Sequence, residues 1–132
     1  MNENEIASVS WDTTIRIWNL NTGNCKLLLK GDKTKILSII KINRNQIASC
    51  SYDYVRIWDN TNWYCLLTFY GNANPDIGSI NGGILKISKN KIASVRDDGS
   101  IKILSLNYRK CILTLKRHID GFIKGLIKIN QF

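Results

Sequence analysis

The 132-residue chain is long enough for one domain and too short for two comfortable ones. With 44% hydrophobic and 22% charged residues it is not compositionally disordered, and no apolar run nears the roughly 20 residues that a membrane helix needs. Nineteen Lys and Arg against ten Asp and Glu give a net charge of +9, which permits nucleic acid, anionic lipid or an acidic protein as partner and selects none of them. Twenty-one isoleucines beside four alanines lean towards strands and away from helices. The opening residues, Met1 to Glu5, are acidic and lack the basic-then-apolar order of a secretory signal.

In chain order, the first predicted strand is Ile6-Ala7-Ser8-Val9, leading through Ser10-Trp11-Asp12 into a second, Ile15-Arg16-Ile17-Trp18. A third follows at Cys25-Lys26-Leu27-Leu28 and a fourth across Ile36–Asn43. Each is short, rich in Ile, Val or Leu, and bounded by Asn, Asp, Gly or Ser, the signature of strands between turns. The set then recurs. Ile47-Ala48-Ser49-Cys50-Ser51-Tyr52-Asp53 and Ile92-Ala93-Ser94-Val95-Arg96-Asp97-Asp98 repeat the first strand and its turn at offsets of 41 and 45 residues. Val55-Arg56-Ile57-Trp58 and Ile101-Lys102-Ile103-Leu104 repeat the second strand, and segments starting at Cys65 and Cys111 repeat the third. Leu85-Lys86-Ile87-Ser88 and Ile127-Lys128-Ile129-Asn130 repeat the end of the fourth. No stretch has helical periodicity for the length a helix requires.

The chain is therefore expected to be all-β, with four strands per unit of about 40–45 residues and about twelve strands in all, a period that belongs to propeller blades. The repeats divide approximately as 5–35, 36–76, 77–117 and a partial 118–132, three blade equivalents in one segment, 1–132.

These strings resemble the WD-repeat β-propeller family. The likeness rests on "IASxSxD", on "IRIW" and on Trp58-Asp59 closing a strand, and it covers residues 5 to 130. It implies that the Ile6, Ile15 and Cys25 segments are strands b, c and d, and that Ile36–Asn43 is a strand a lining the central channel. Asp53, Trp58, Asp59 and Asp98 carry the repeat signature. The sequence departs from the pattern where Trp18-Asn19 and Leu104-Ser105 replace the closing Trp-Asp. It departs again where Gly31-Asp32, Gly71-Asn72 and Arg117-His118 stand for the family's Gly-His pair.

Three blades fall short of the roughly four to eight in a closed ring. Three readings stay open: two copies joined head to tail as a six-bladed homodimer, a part of a larger split propeller, or a decayed remnant. The family's buried tetrad joins a His, a Ser or Thr, an Asp and a Trp. Here the single histidine, His118, precedes the last strand a, whereas the matching Ser8, Asp12 and Trp18 lie in the first repeat, so a complete tetrad forms only between chains; the other reading makes His118 a solvated loop histidine beside Arg117.

Nothing in the sequence assembles a nucleophile with its base, and one histidine leaves no credible metal triad; neither an enzyme nor a cofactor is expected. Cys25, Cys65 and Cys111 occupy equivalent sites on different repeats, so they cannot reach one another as disulfides, and all four cysteines are expected to be small buried hydrophobes in a reducing cytoplasm. The resemblance implies a non-catalytic protein-interaction scaffold with an unnamed protein partner. Turn residues Trp63, Tyr64, Tyr108 and Arg109 are the candidate contacts, because Trp63 and Tyr64 replace a tight-turn glycine with two aromatics; the other reading folds Trp63 back onto its own blade. The alternative is a basic surface for nucleic acid or anionic lipid. Against it, the positive charge is spread over every repeat and aromatics do not interleave with it. Paired arginines, the mark of phosphoinositide-binding relatives, are absent, and Thr61 stands where ubiquitin-ligase adaptors often carry Arg.

Overall fold

In a computed structural model, residues 4–30, 34–70, 80–96, 99–116 and 126–129 are described. They form eleven strands and no helix: β1 (Glu5–Val9), β2 (Thr14–Asn19), β3 (Cys25–Lys30), β4 (Ile36–Asn43), β5 (Gln46–Ser51), β6 (Tyr54–Asp59), β7 (Cys65–Tyr70), β8 (Ile80–Ser88), β9 (Lys91–Arg96), β10 (Ser100–Ser105) and β11 (Lys110–Lys116). All pair antiparallel, in three sheets ordered β1-β2-β3, β4-β5-β6-β7 and β8-β9-β10-β11. The sheets stack in an open series, and each follows the order of the chain, as hairpin-length connections require.

The repeats are superimposed down to their irregularities. A register shift falls between Ile17 and Trp18, Ile57 and Trp58, and Ile103 and Leu104, one bulge at the same point of each equivalent strand. Leu20, Asn60 and Leu106 donate a backbone N–H to the carbonyls of Asn4, Asn45 and Asn90 respectively, closing the open ends of the β1–β2, β5–β6 and β9–β10 hairpins.

The middle sheet is covered on both faces, and its period-2 pattern sorts residues between two cores. Ile36, Ile47 and Trp58 pack with Ile15 and Ile17 of the first sheet. Their alternating neighbours Ala48, Cys50, Val55, Ile57 and Phe69 pack with Ile92 and Leu104 of the third. Each fully buried Ile or Val contributes on the order of 1.5–3 kcal/mol, so these two junctions hold the sheets together.

The two outer positions of the series differ. Ile6 on β1 is 48% exposed, whereas its equivalents Ile47 and Ile92 are 1% and 0%. Residues 126–129, where a twelfth strand is expected, are described without a strand assignment. Lys128 Nζ donates there to the Ile87 carbonyl of β8 at 2.8 Å, and Ile129 is 88% exposed while its equivalent Ile42 is 0%. β1, at the other end of the series, pairs on one side only, with β2, and presents a free strand edge.

One expectation about the cysteines is corrected. Cys50 is buried, but Cys25, Cys65 and Cys111 are exposed, and all four are free thiols. The three exposed ones lie at the start of β3, β7 and β11, the outermost strands of their sheets, and each Sγ donates to the carbonyl two residues on, at Leu27, Leu67 and Leu113. An edge strand leaves its opening residues in solvent, a placement that apolar character alone did not reveal.

Candidate functional site

The polar residues of the repeat signature sit on the hairpins β1–β2, β5–β6 and β9–β10 and on their turns. Trp18 Nε1 donates to Ser8 Oγ at 2.8 Å, and Trp58 Nε1 donates to Ser49 Oγ at 2.9 Å. Ser94 occupies the same place in the third sheet, but the Leu104 side chain has no N–H to offer, and among the described residues the buried Ser94 Oγ has no hydrogen-bond partner.

Of the tetrad expected in the first repeat, the structure therefore joins Ser8 with Trp18. Asp12 points elsewhere: its Oδ1 accepts the N–H and hydroxyl of Thr14, closing the turn between β1 and β2. Donation from the Thr14 hydroxyl, and then from its N–H, holds the Asp12 carboxyl below the ordinary carboxylate range. Asp53 donates its N–H to Ser51 Oγ at 3.3 Å in the equivalent turn, as Asp12 does to Ser10 Oγ at 3.1 Å. His118 and Asp98 lie outside the described residues.

The turn after β2, β6 and β10 keeps its chemistry although its sequence varies. Asp59 Oδ1 accepts the Thr61 N–H at 2.7 Å, Asn19 Oδ1 accepts the Asn21 N–H at 2.8 Å, and Ser105 Oγ accepts the Tyr108 N–H at 3.1 Å. Asp, Asn and Ser are interchangeable here because each places an acceptor oxygen over the turn. Donation by the Thr61 backbone N–H is the main reason that the Asp59 carboxyl is held below its usual range.

Gly23, Trp63 and Arg109 occupy the same turn position, with φ of 76°, 63° and 57°. Left-handed backbone suits glycine, so the backbone is strained at Trp63 and Arg109. Trp63 is half-buried against the core between the first two sheets, which partly withdraws it from solvent as a contact residue. Tyr64, Tyr108 and Arg109 are exposed.

Two clefts open at the junctions. One, of about 250 Å³, runs beside the single-sided strand β1, between Glu5, Ile6 and Ala7 and the Ile39–Lys41 stretch of β4. The other, of about 330 Å³, lies between the second and third sheets, where Phe69 and Tyr70 face Leu104, Arg96, Lys102 and Arg109. Sequence reading passed over Arg96 and Lys102. The sequence signal is that Arg96 stands where the other repeats have Ser10 and Ser51; the structure then buries it, at 2% exposed. Among the described residues, no group of three His, Cys, Asp or Glu is placed to hold a metal, and no helix is long and apolar enough to cross a membrane.

Residues 2–19 match the family profile described as WD domain, G-beta repeat. Over 122 residues the chain is 29% identical to Nuclear distribution protein PAC1 of Arthroderma benhamiae, covering 86% of the chain and 26% of that protein. Over 58 residues it is 38% identical to the Ribosome biogenesis protein WDR12 homolog of Ixodes scapularis, covering 43% of the chain and 14% of that protein. The chain thus spans about a quarter or less of these curated relatives. A solved structure titled "Structure of U3-55K" superimposes with a TM-score of 0.73 at 21% identity, covering 89% of the chain and 37% of that structure, a likeness of fold.

Proposed function

We propose that the chain, which is similar to WD-repeat proteins, is a non-catalytic protein-interaction scaffold whose open sheet series is completed by a second copy of itself. The observation that carries the self-association is the groove beside β1. It is bounded by β1 on one side and by β4 on the other. In the second and third sheets the corresponding place beside β5 and β9 is taken by β4 and β8.

Residues 126–129 have the sequence to fill that groove: Leu126-Ile127-Lys128-Ile129 corresponds to Ile39-Ile40-Lys41-Ile42 of β4. In β4, Ile40 pairs with Ala48 and Lys41 with Ile47. The same register at the junction sets Ile127 of one copy opposite Ala7 of the other, and Lys128 opposite Ile6. Two such junctions close a head-to-tail ring of six blades, a heterologous contact whose rotation closes. At each junction the exposed Ile6 and Ile129 move into environments like those of Ile47 and Ile42, and the free edge of β1 gains a ladder partner. Ser8 and Trp18, on the outward face of the first sheet, then meet the segment that includes His118 and complete the tetrad between chains. On the completed ring the exposed turn residues Tyr64, Tyr108 and Arg109, with Trp63 beside them, form the surface for a protein partner, in a reducing cytoplasm that suits four free thiols.

Analytical ultracentrifugation or mass photometry of the full chain tests this reading. A species of twice the chain mass is expected, and Ile6→Asp or Ile129→Asp is expected to convert it to monomer, since both side chains are exposed within one chain. A monodisperse wild-type monomer, or a dimer indifferent to both substitutions, overturns it.

A further inference from the structure

The cleft between the second and third sheets arises from a specific loss. At a uniform offset of 46 residues, Tyr54, Trp58 and Trp63 of the second repeat are replaced by Ser100, Leu104 and Arg109 in the third. In the second repeat Arg56 lies over the Tyr54 ring at 4.4 Å and near the Trp58 ring at 6.0 Å, while Trp58 and Trp63 pack into the junction with the first sheet. In the third repeat Lys102 occupies the place of Arg56, three rings are missing from the same positions, and a cleft of about 330 Å³ stands open between the sheets.

The lining combines two properties. Phe69, Tyr70 and Leu104 supply apolar and aromatic surface. Arg96, Lys102 and Arg109 supply three cationic side chains, and the described lining includes no carboxylate. Arg96 and Lys102 are largely buried, where a charge acts at lower effective dielectric than at the surface. Lys102 is held in place by donating to Thr114 Oγ1 at 2.9 Å. A flat ring in this cleft stacks on Tyr70 and Phe69 and lies beside cations, as Tyr54 and Trp58 lie beside Arg56. A carboxylate on that ring accepts charge-assisted hydrogen bonds from the guanidinium groups. The volume falls at the small end of ligand pockets.

We propose that this cleft is a binding site for a small aromatic carboxylate, with the ring in the space left by the missing aromatics and the acid group among Arg96, Lys102 and Arg109. The site lies within one chain and does not depend on ring closure.

Calorimetric titration of the full chain with N-acetyltryptophan, N-acetyltryptophan amide and acetate tests it, because these probes carry ring and charge, ring alone and charge alone. N-acetyltryptophan is expected to bind at least tenfold more tightly than either of the others and to weaken as salt rises. Leu104→Trp, which refills the cleft, and Arg109→Trp, which copies Trp63 on an exposed turn, are each expected to weaken binding at least tenfold. Equal affinity for the acid and the amide overturns the proposal, as does undiminished binding in a folded Leu104→Trp or Arg109→Trp protein.

Discussion

The indole N–H of Trp58 donates to the hydroxyl of Ser49 across 2.9 Å, between adjacent strands of the middle sheet and out of reach of water. Trp58 is also part of the apolar contact with the first sheet, so one side chain serves as core and as the satisfier of a buried hydroxyl. Trp58→Phe keeps an aromatic ring and removes the donor. The expected loss is about 1–3 kcal/mol in urea unfolding, because Ser49 Oγ is left buried without its partner. Trp18→Phe, at the more open Ser8 site, is expected to cost less.

The third sheet already carries the defect that Trp58→Phe would create. Among the described residues, Ser94 Oγ is buried without a partner beside Leu104. Leu104→Trp is therefore expected to raise stability by about 1 kcal/mol in the same assay, since an indole restores the donor and the adjacent cleft gives it room. An unchanged or lowered urea midpoint would count against this account of Ser94.

Two strained turns respond oppositely to glycine. Arg109 and Trp63 both have left-handed backbone, at φ of 57° and 63°. Arg109 is exposed, so Arg109→Gly is expected to raise the melting temperature by relieving strain of roughly 1 kcal/mol. Trp63 is packed against the first junction, so Trp63→Gly is expected to lower it, the lost burial outweighing the relieved backbone.

Acid sensitivity follows from the turn carboxylates. Asp59 is held below its ordinary range chiefly by the Thr61 backbone N–H, and Asp12 chiefly by the Thr14 hydroxyl. A carboxyl depressed on folding stabilises fully above its unfolded value, near pH 4, and the contribution is lost as pH falls through the folded value. Asp59→Asn keeps the acceptor, as Asn19 does naturally, and removes the titration. Between pH 7 and pH 3 its urea midpoint is expected to fall less than that of the wild type.

The strand order, the hairpins and the turn chemistry were legible because their causes are local. Alternation in Ile15-Arg16-Ile17-Trp18 marks a pleated strand, and an Asp, Asn or Ser at position 59, 19 or 105 caps a turn wherever the strand lies. Recurrence of the same local signals at offsets of 41 and 45 residues then sufficed to name the architecture. Tertiary structure decided what depends on neighbours from another repeat. Cys25, Cys65 and Cys111 look apolar in sequence but stand on the outermost strands, in solvent. Trp63 turns towards the first junction, while Arg109 at the same turn position lines a cleft in which Leu104 faces Phe69 and Tyr70. Burial and voids are sums over surfaces brought together from distant parts of the chain, so a pattern of period two predicts which residues share a face but not what that face will meet.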